Sequence, residues 1–124
     1  MDWTEDQLAH IGEAQDCRIA VEIGGGFPKR TTVWIVRCGD ALYVRPYFGA
    51  ESRWYNAALD ANRGEVDADG ETFGVTFALE GDAAPNDAID AAYRAKYGSG
   101  PAAQYVPPMI SSGPRAATVR LVSR

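Results

Sequence analysis

The sequence predicts an α+β domain: a small, mainly antiparallel barrel of six strands with three helices packed outside it. Three observations carry this expectation. Short runs of alternating apolar residues recur along the chain, separated by Gly-containing turns, as antiparallel strands require. Three longer stretches repeat apolar residues at helical spacing and carry start or stop signals. Their order is helix, three strands, helix, two strands, helix, strand, which suits a sheet curling on itself with helices on its outside. With 124 residues and 46% hydrophobic content, the chain predicts one domain, residues 1–124, with a packed core.

The first helix is signalled by Thr4 as N-cap, with Gln7 three residues on completing a capping box and Trp3 and Leu8 placed as a hydrophobic staple. Leu8 and Ile11 form its apolar stripe. Residues 18–23 read as the first strand, and Gly24-Gly25-Gly26-Phe27-Pro28 as a loop. That Gly run lacks the Gly-Lys-Ser/Thr ending of a phosphate loop and leads into a strand, so a flexible hairpin connection is the reading. Residues 31–38 predict one strand, with Val33 and Ile35 on one face and Trp34, Val36 and Cys38 on the other. Two apolar faces predict a central strand covered on both sides. Gly39-Asp40 turns the chain into a third strand, 41–47. Ser52 caps a helix running to about Asn62, packed through Trp54, Ala57, Ala58 and Ala61. Strands 63–69 and 71–79 are joined by Asp69-Gly70, and Phe73, Val75, Phe77 and Leu79 alternate toward the core. An acidic loop, 81–86, precedes a helix over 86–97 that stops at Gly98. Residues 98–114 contain Pro107-Pro108 and Gly113-Pro114, which predict no regular structure and suit a lid or a partner contact. The last strand is expected over 115–123.

Charge is uneven. The whole chain has 12 Lys+Arg and 17 Asp+Glu, a formal net of -5. Residues 18–63 alone carry seven basic and four acidic side chains. Such asymmetry suits an anion-binding half, or a solubilising surface with chance clustering. Overall acidity argues against nucleic acid as a partner. No apolar run approaches the ~20 residues of a membrane span. The acidic start, Met1-Asp2-Trp3-Thr4-Glu5-Asp6, predicts no secretion leader, and a cytoplasmic location is expected. Cys17 and Cys38 match no Cys-x-x-Cys pattern and predict reduced structural thiols. A single histidine, His10, excludes a His-based metal cluster, so no metal is expected. Asp67, Asp69 and Glu71 read as a solvated turn more readily than as a cation site.

The candidate site lies where basic and aromatic residues flank strands. Arg45 stands between Tyr43 and Tyr47 at strand spacing, a shelf able to pair an anion and stack a ring; the alternative is a cation–π stack or a dimer contact. Ser52-Arg53 opens a helix whose free N–H groups favour an anion. Arg30, Thr31 and Thr32 enter a strand, and Arg30 and Arg53 are expected to converge on one phosphate. Catalytic residues are not assigned.

Residues 31–77 resemble the central part of the split β-barrel flavin and deazaflavin proteins, in particular the nitroreductase-like deazaflavin-dependent oxidoreductases. The matching stretches are Thr31-Thr32-Val33-Trp34, Val36-Arg37-Cys38-Gly39-Asp40 and Trp54-Tyr55-Asn56-Ala57-Ala58-Leu59-Asp60-Ala61-Asn62. Nearly the whole chain also resembles a small bacterial family of unknown function, through Ala91 to Tyr97 and Thr118 to Val122. The first resemblance implies a six-stranded split barrel and a homodimer. It also implies FMN or a deazaflavin whose phosphate is held by Arg30, Thr31, Thr32 and Arg53; with the shelf and the helix start, the expected cofactor-binding residues are Arg30, Thr31, Thr32, Arg45, Tyr47, Ser52, Arg53, Trp54 and Tyr55. The chain departs from that pattern in its Gly24 to Lys29 loop, in Val33 where a proline is usual, and in a short Phe48-Gly49-Ala50-Glu51 segment. Two functions follow: a small-molecule oxidoreductase using a ring cofactor, or a non-redox binder or cofactor-free enzyme using the same pocket.

Overall fold

The computed structural model describes residues 2–27 and 29–124. Pro28, at the end of the Gly-rich loop, lies outside them, as does Met1. Helix α1 (Glu5–Glu13) starts as expected: Thr4 Oγ1 accepts from the Gln7 N–H at 3.1 Å, and the Gln7 side chain accepts from the Thr4 N–H at 2.9 Å. Leu8 and Ile11 are buried. Trp3 packs on the same core and donates its indole N–H to the Leu121 carbonyl at 2.9 Å.

The strands are β1 (Cys17–Val21), β2 (Arg30–Val33), β3 (Ile35–Cys38), β4 (Ala41–Val44), β5 (Arg63–Ala68), β6 (Glu71–Leu79) and β7 (Val119–Ser123). They form one antiparallel sheet in the order β2-β1-β5-β6-β7-β4-β3. The two edges are consecutive in sequence, with only Trp34 between them. The sheet must therefore curl until its edges meet, giving a half-barrel that stays unpaired along one seam.

Seven strands replace the expected six because residues 31–38 are not one strand. Val33 pairs with Cys17 on one side of the molecule, whereas Ile35 pairs with Val44 on the other. At the break the Trp34 carbonyl accepts the Tyr93 hydroxyl at 2.8 Å. The expected central strand is thus two edge strands. Its two apolar faces are nonetheless real. Val33 and Ile35 join the core inside the curl, while Trp34, Val36 and Cys38 join a second core outside it.

Five helices are present among the described residues, not three. Beyond α1 they are α2 (Arg53–Ala61), α3 (Asn86–Tyr97), α4 (Val106–Met109) and α5 (Ser112–Ala116). The last two lie in the stretch expected to lack regular structure. Pro107, Pro108 and Pro114 fall in the first turns of these helices, where no intrahelical N–H bond is required. Helix α5 also delays the final strand to Val119. Helices α1 and α2 cover the inner core with Leu8, Ile11, Trp54 and Ala58; α3 and α4 cover the outer one with Ile89, Tyr93, Tyr97 and Met109. The Asp69-Gly70 turn forms with both φ angles positive, 48° and 92°, as a two-residue hairpin requires. At Gly64, an added Cβ would lie 2.2 Å from the Ala20 carbonyl oxygen, so only glycine lets β1 and β5 approach there.

Candidate functional site

A groove of about 920 Å³ opens where the end of β2, the start of α2 and the chain before α4 come together. One side is the strand entry Lys29, Thr31, Thr32 and Val33, running to Trp34 at the seam. A second is the stretch from Tyr47 to Trp54, and the third is Ala102, Tyr105 and Met109. The seam explains the position. Where two edge strands diverge, no ladder partner fills the space between them.

The lining mixes two chemistries. Lys29, Arg53, Thr31 and Thr32 supply cations and hydroxyls. At the N-terminus of α2 the Ser52 hydroxyl makes no bond to the helix, and the first bonded amide of the helix is Asn56, which donates to the Ser52 carbonyl at 3.1 Å. That leaves unpaired backbone donors in the turn that carries Arg53, a setting favourable to an anion. The aromatic residues form a connected cluster. Trp34 stacks on Tyr97 with centroids 4.2 Å apart and planes within 8°. Tyr105 meets Trp34 edge-on at 6.2 Å and Tyr47 edge-on at 6.2 Å. Phe48, 73% exposed, stands edge-on to Tyr47 at 5.2 Å.

Thr31, Thr32, Arg45, Tyr47, Ser52, Arg53 and Trp54 border this groove; Arg30 and Tyr55 do not. Arg30 lies opposite Ala20 on β1, and Ala20 lies opposite Glu65 on β5. The small alanine lets Arg30 reach across the strand to Glu65 at 2.8 Å and Asp67 at 3.1 Å. The Glu65 hydrogen bond holds the guanidinium even more firmly charged than usual. The expected convergence of Arg30 with Arg53 is therefore corrected: Lys29, one residue earlier, is the groove's second cation. Tyr55 packs on the inner core, edge-on to Trp54 at 6.2 Å.

Arg45 corrects the tyrosine–arginine shelf. It is 1% exposed. Its Nη1 donates to Asp90 Oδ1 at 2.5 Å and to the Met109 carbonyl at 3.3 Å. Its Nη2 donates to Asn86 Oδ1 at 2.9 Å and the Asn86 carbonyl at 3.2 Å, and its Nε to Thr118 Oγ1 at 3.1 Å. All five N–H groups are spent within the chain, and none is left for a ligand. Tyr43 is buried in the outer core, where burial pushes its phenol pKa upward. Strand β4 ends at Val44, so Tyr47 escapes the strand parity and reaches the groove alone.

Lys29, Phe48, Tyr105 and Met109 were not singled out from sequence. Phe48 had a usable signal, a large aromatic beside Tyr47 ahead of a helix start. Tyr105 had none, since it lies in a short turn outside any periodic segment. Elsewhere, His10 Nε2 lies 2.9 Å from the Ala68 carbonyl and 3.3 Å from Glu71, away from the groove. Cys17 and Cys38 are unpaired thiols whose pKa values burial raises. No helix among the described residues is long and apolar enough to cross a membrane.

The family model described as "Uncharacterized protein conserved in bacteria (DUF2255)" matches residues 7–121. No curated protein matches. Among solved structures, the FAD and heme binding protein from Mycobacterium smegmatis is similar, with a TM-score of 0.58 and 16% identity; the match covers 98% of this chain but only 65% of that one. A protein titled F420 Reductase is similar with a TM-score of 0.54 and 14% identity, over 98% of this chain and 94% of the other. At such identities the likeness is one of fold, and the split-barrel resemblance read from the sequence holds at that level.

Proposed function

We propose that this chain, which belongs to the bacterial family DUF2255, binds a phosphorylated, flavin-type ring cofactor in the groove and serves as a small-molecule oxidoreductase. The observation that carries the reading is the groove's mixed lining: Lys29, Arg53 and the open α2 N-terminus together with the aromatic cluster of Trp34, Tyr47 and Tyr105. A phosphate and a flat ring joined by a short chain fit that arrangement, and the two similar folds are named for binding FAD and for acting with F420. The residues present fit FMN or a deazaflavin. Arg53, Lys29 and the hydroxyls of Thr31, Thr32 and Ser52 would hold the phosphate, and the aromatic cluster would take the ring. Such a cofactor, when bound, supplies hydride chemistry. The chain's own part is to bind, to orient and to keep water from the ring. Removing Arg53, as Arg53→Ala, should weaken FMN binding by about 1.5–3 kcal/mol, roughly ten- to a hundredfold. Titration followed by flavin fluorescence measures this. Unchanged affinity would sink the phosphate assignment, and absence of binding of both FMN and a deazaflavin by the native chain would sink the cofactor.

One observation favours a second reading, a non-redox binder. Glu51 is the single acidic side chain bordering the groove, and no histidine or cysteine borders it. Proton transfer there would fall to tyrosines or to the cofactor itself. A ligand that binds without turnover under reducing conditions would support that reading.

A further inference from the structure

The third wall of the groove has two parts that are held very differently. Residues 106–116 are clamped. Val106 and Met109 are buried, the Met109 carbonyl accepts from Arg45, and Arg115 grips Asp90 at 2.6 Å from the solvent side. Residues 99–105 are not. Among the described residues their backbone hydrogen bonds are local: Ala103 N–H donates to the Gly100 carbonyl at 3.2 Å, Tyr105 N–H to that of Ala102 at 3.0 Å, and the Ala103 carbonyl accepts from the Val106 N–H at the start of α4. Gly100 has φ +89° and nothing within 4 Å of the place a Cβ would occupy. Tyr105 meets the body edge-on at Trp34 and Tyr47, and Ala102 and Ala103 are half-buried. Tyr105 is itself 46% exposed.

Edge-on aromatic pairs are weak and break without leaving a buried polar group unpaired. A glycine in the positive-φ region at one end, Gly100, and a clamped helix at the other, α4, make the two ends of a hinged strap. We infer that residues 99–105 are a gate over the aromatic cluster of the groove, with Tyr105 as its moving face and the Arg45-clamped residues 106–116 as its frame. Opening swings Tyr105 off Trp34 and Tyr47 and admits a flat ring. Closing lets Tyr105 pack on that ring in place of Tyr47. The gate rests on the groove being a ligand site, but not on the ligand being a flavin.

The test uses the full chain and 8-anilinonaphthalene-1-sulfonate, an aromatic anion whose fluorescence reports binding. Hydrogen exchange is followed by mass spectrometry. Without dye, amides of 99–105 should exchange roughly 100-fold faster than those of α4 and α5. Saturating dye should slow exchange in 99–105 several-fold in the native chain and in Tyr105→Phe. Tyr105→Ala should still bind dye but release it about tenfold faster, with no slowing in 99–105, as loss of a closing contact raises the off-rate. Equal protection of the two segments without dye, dye binding without slowing, or no dye binding at all would each overturn the gate. If FMN fails to bind while the dye binds and protects 99–105, the gate stands and the cofactor falls. FMN binding without protection gives the reverse.

Discussion

At Arg45 every guanidinium N–H has an acceptor inside the chain, and the charge is matched by Asp90, itself shared with Arg115 at 2.6 Å. This is a buried ion pair completed by neutral hydrogen bonds, and removing one partner strands the other in the core. Asp90→Ala should therefore cost about 3–5 kcal/mol. Arg30→Met removes two ion pairs of similar length but only partial burial, with the Arg30 side chain 35% exposed, and should cost under ~1 kcal/mol. Urea denaturation of both variants checks the contrast, and equal losses would mean that burial does not govern these pairs. Nothing local to Arg45 separates these roles. An arginine flanked by tyrosines reads as a ligand shelf until Asp90 and Asn86, far along the chain, are brought against it.

Helix α3 shows the same dependence one scale up. Its residues 86–97 were legible from apolar spacing and Gly98, but its task was not. Tyr93 donates to the Trp34 carbonyl and accepts the Arg45 N–H at 3.1 Å, so it ties the break at Trp34 to the end of β4. Tyr97 supplies the stacked floor beneath Trp34. Burial raises the pKa of both phenols well above the usual value. The sign follows from linkage. In the unfolded chain tyrosines ionise near pH ~10, while the folded phenols stay protonated. Stability from these groups is fully present below that pH and is lost as pH rises above it. Cys17, Cys38 and Tyr43 are raised in the same direction and add to the loss. Unfolding midpoints measured from pH 8 to pH 11, about the range in which these side chains titrate, should fall at the alkaline end. Tyr97→Phe should flatten the fall, and an unchanged slope would show that Tyr97 ionises equally in both states. The prolines of α4 and α5 teach the complementary lesson. A proline forbids a helix interior, not a helix start.

For the whole molecule, the curl of the sheet decides where the candidate groove opens. Because β2 and β3 end at opposite edges yet adjoin at Trp34, the seam is the one place where the wall of the half-barrel parts. The groove opens there. The same seam leaves Tyr47, Phe48 and Tyr105 uncovered. The resemblance to split-barrel proteins carries the expectation of a homodimer, and Phe48, 73% exposed, is the surface a second copy would cover. Trp34 and Trp54 are packed within the chain's own cores. Sedimentation should show twice the 13.4 kDa of one chain at micromolar concentration. Phe48→Ser should shift the balance toward the single chain, and a native protein sedimenting only as the single chain would end the proposal.

Local pattern was enough for the class, the capped first helix, the Asp69-Gly70 hairpin, the third helix and the inward Val75 and Phe77 of β6, whereas Leu79, expected in the core, is 42% exposed at the strand's end. Each is set by neighbours within a few residues, through caps, turn conformation and periodicity. It also placed Thr31, Thr32, Tyr47, Ser52, Arg53 and Trp54 along one groove, because a strand entry and a helix start were both readable. Tertiary structure decided the rest. It broke residues 31–38 at Trp34 and turned Arg45 inward. It paired Arg30 with Glu65 across an alanine, put Lys29 in Arg30's place, and brought Tyr105 to Trp34. Those outcomes depend on partners far along the chain, on which strand a residue pairs with and which carboxylate a guanidinium meets. Local pattern carries no record of either.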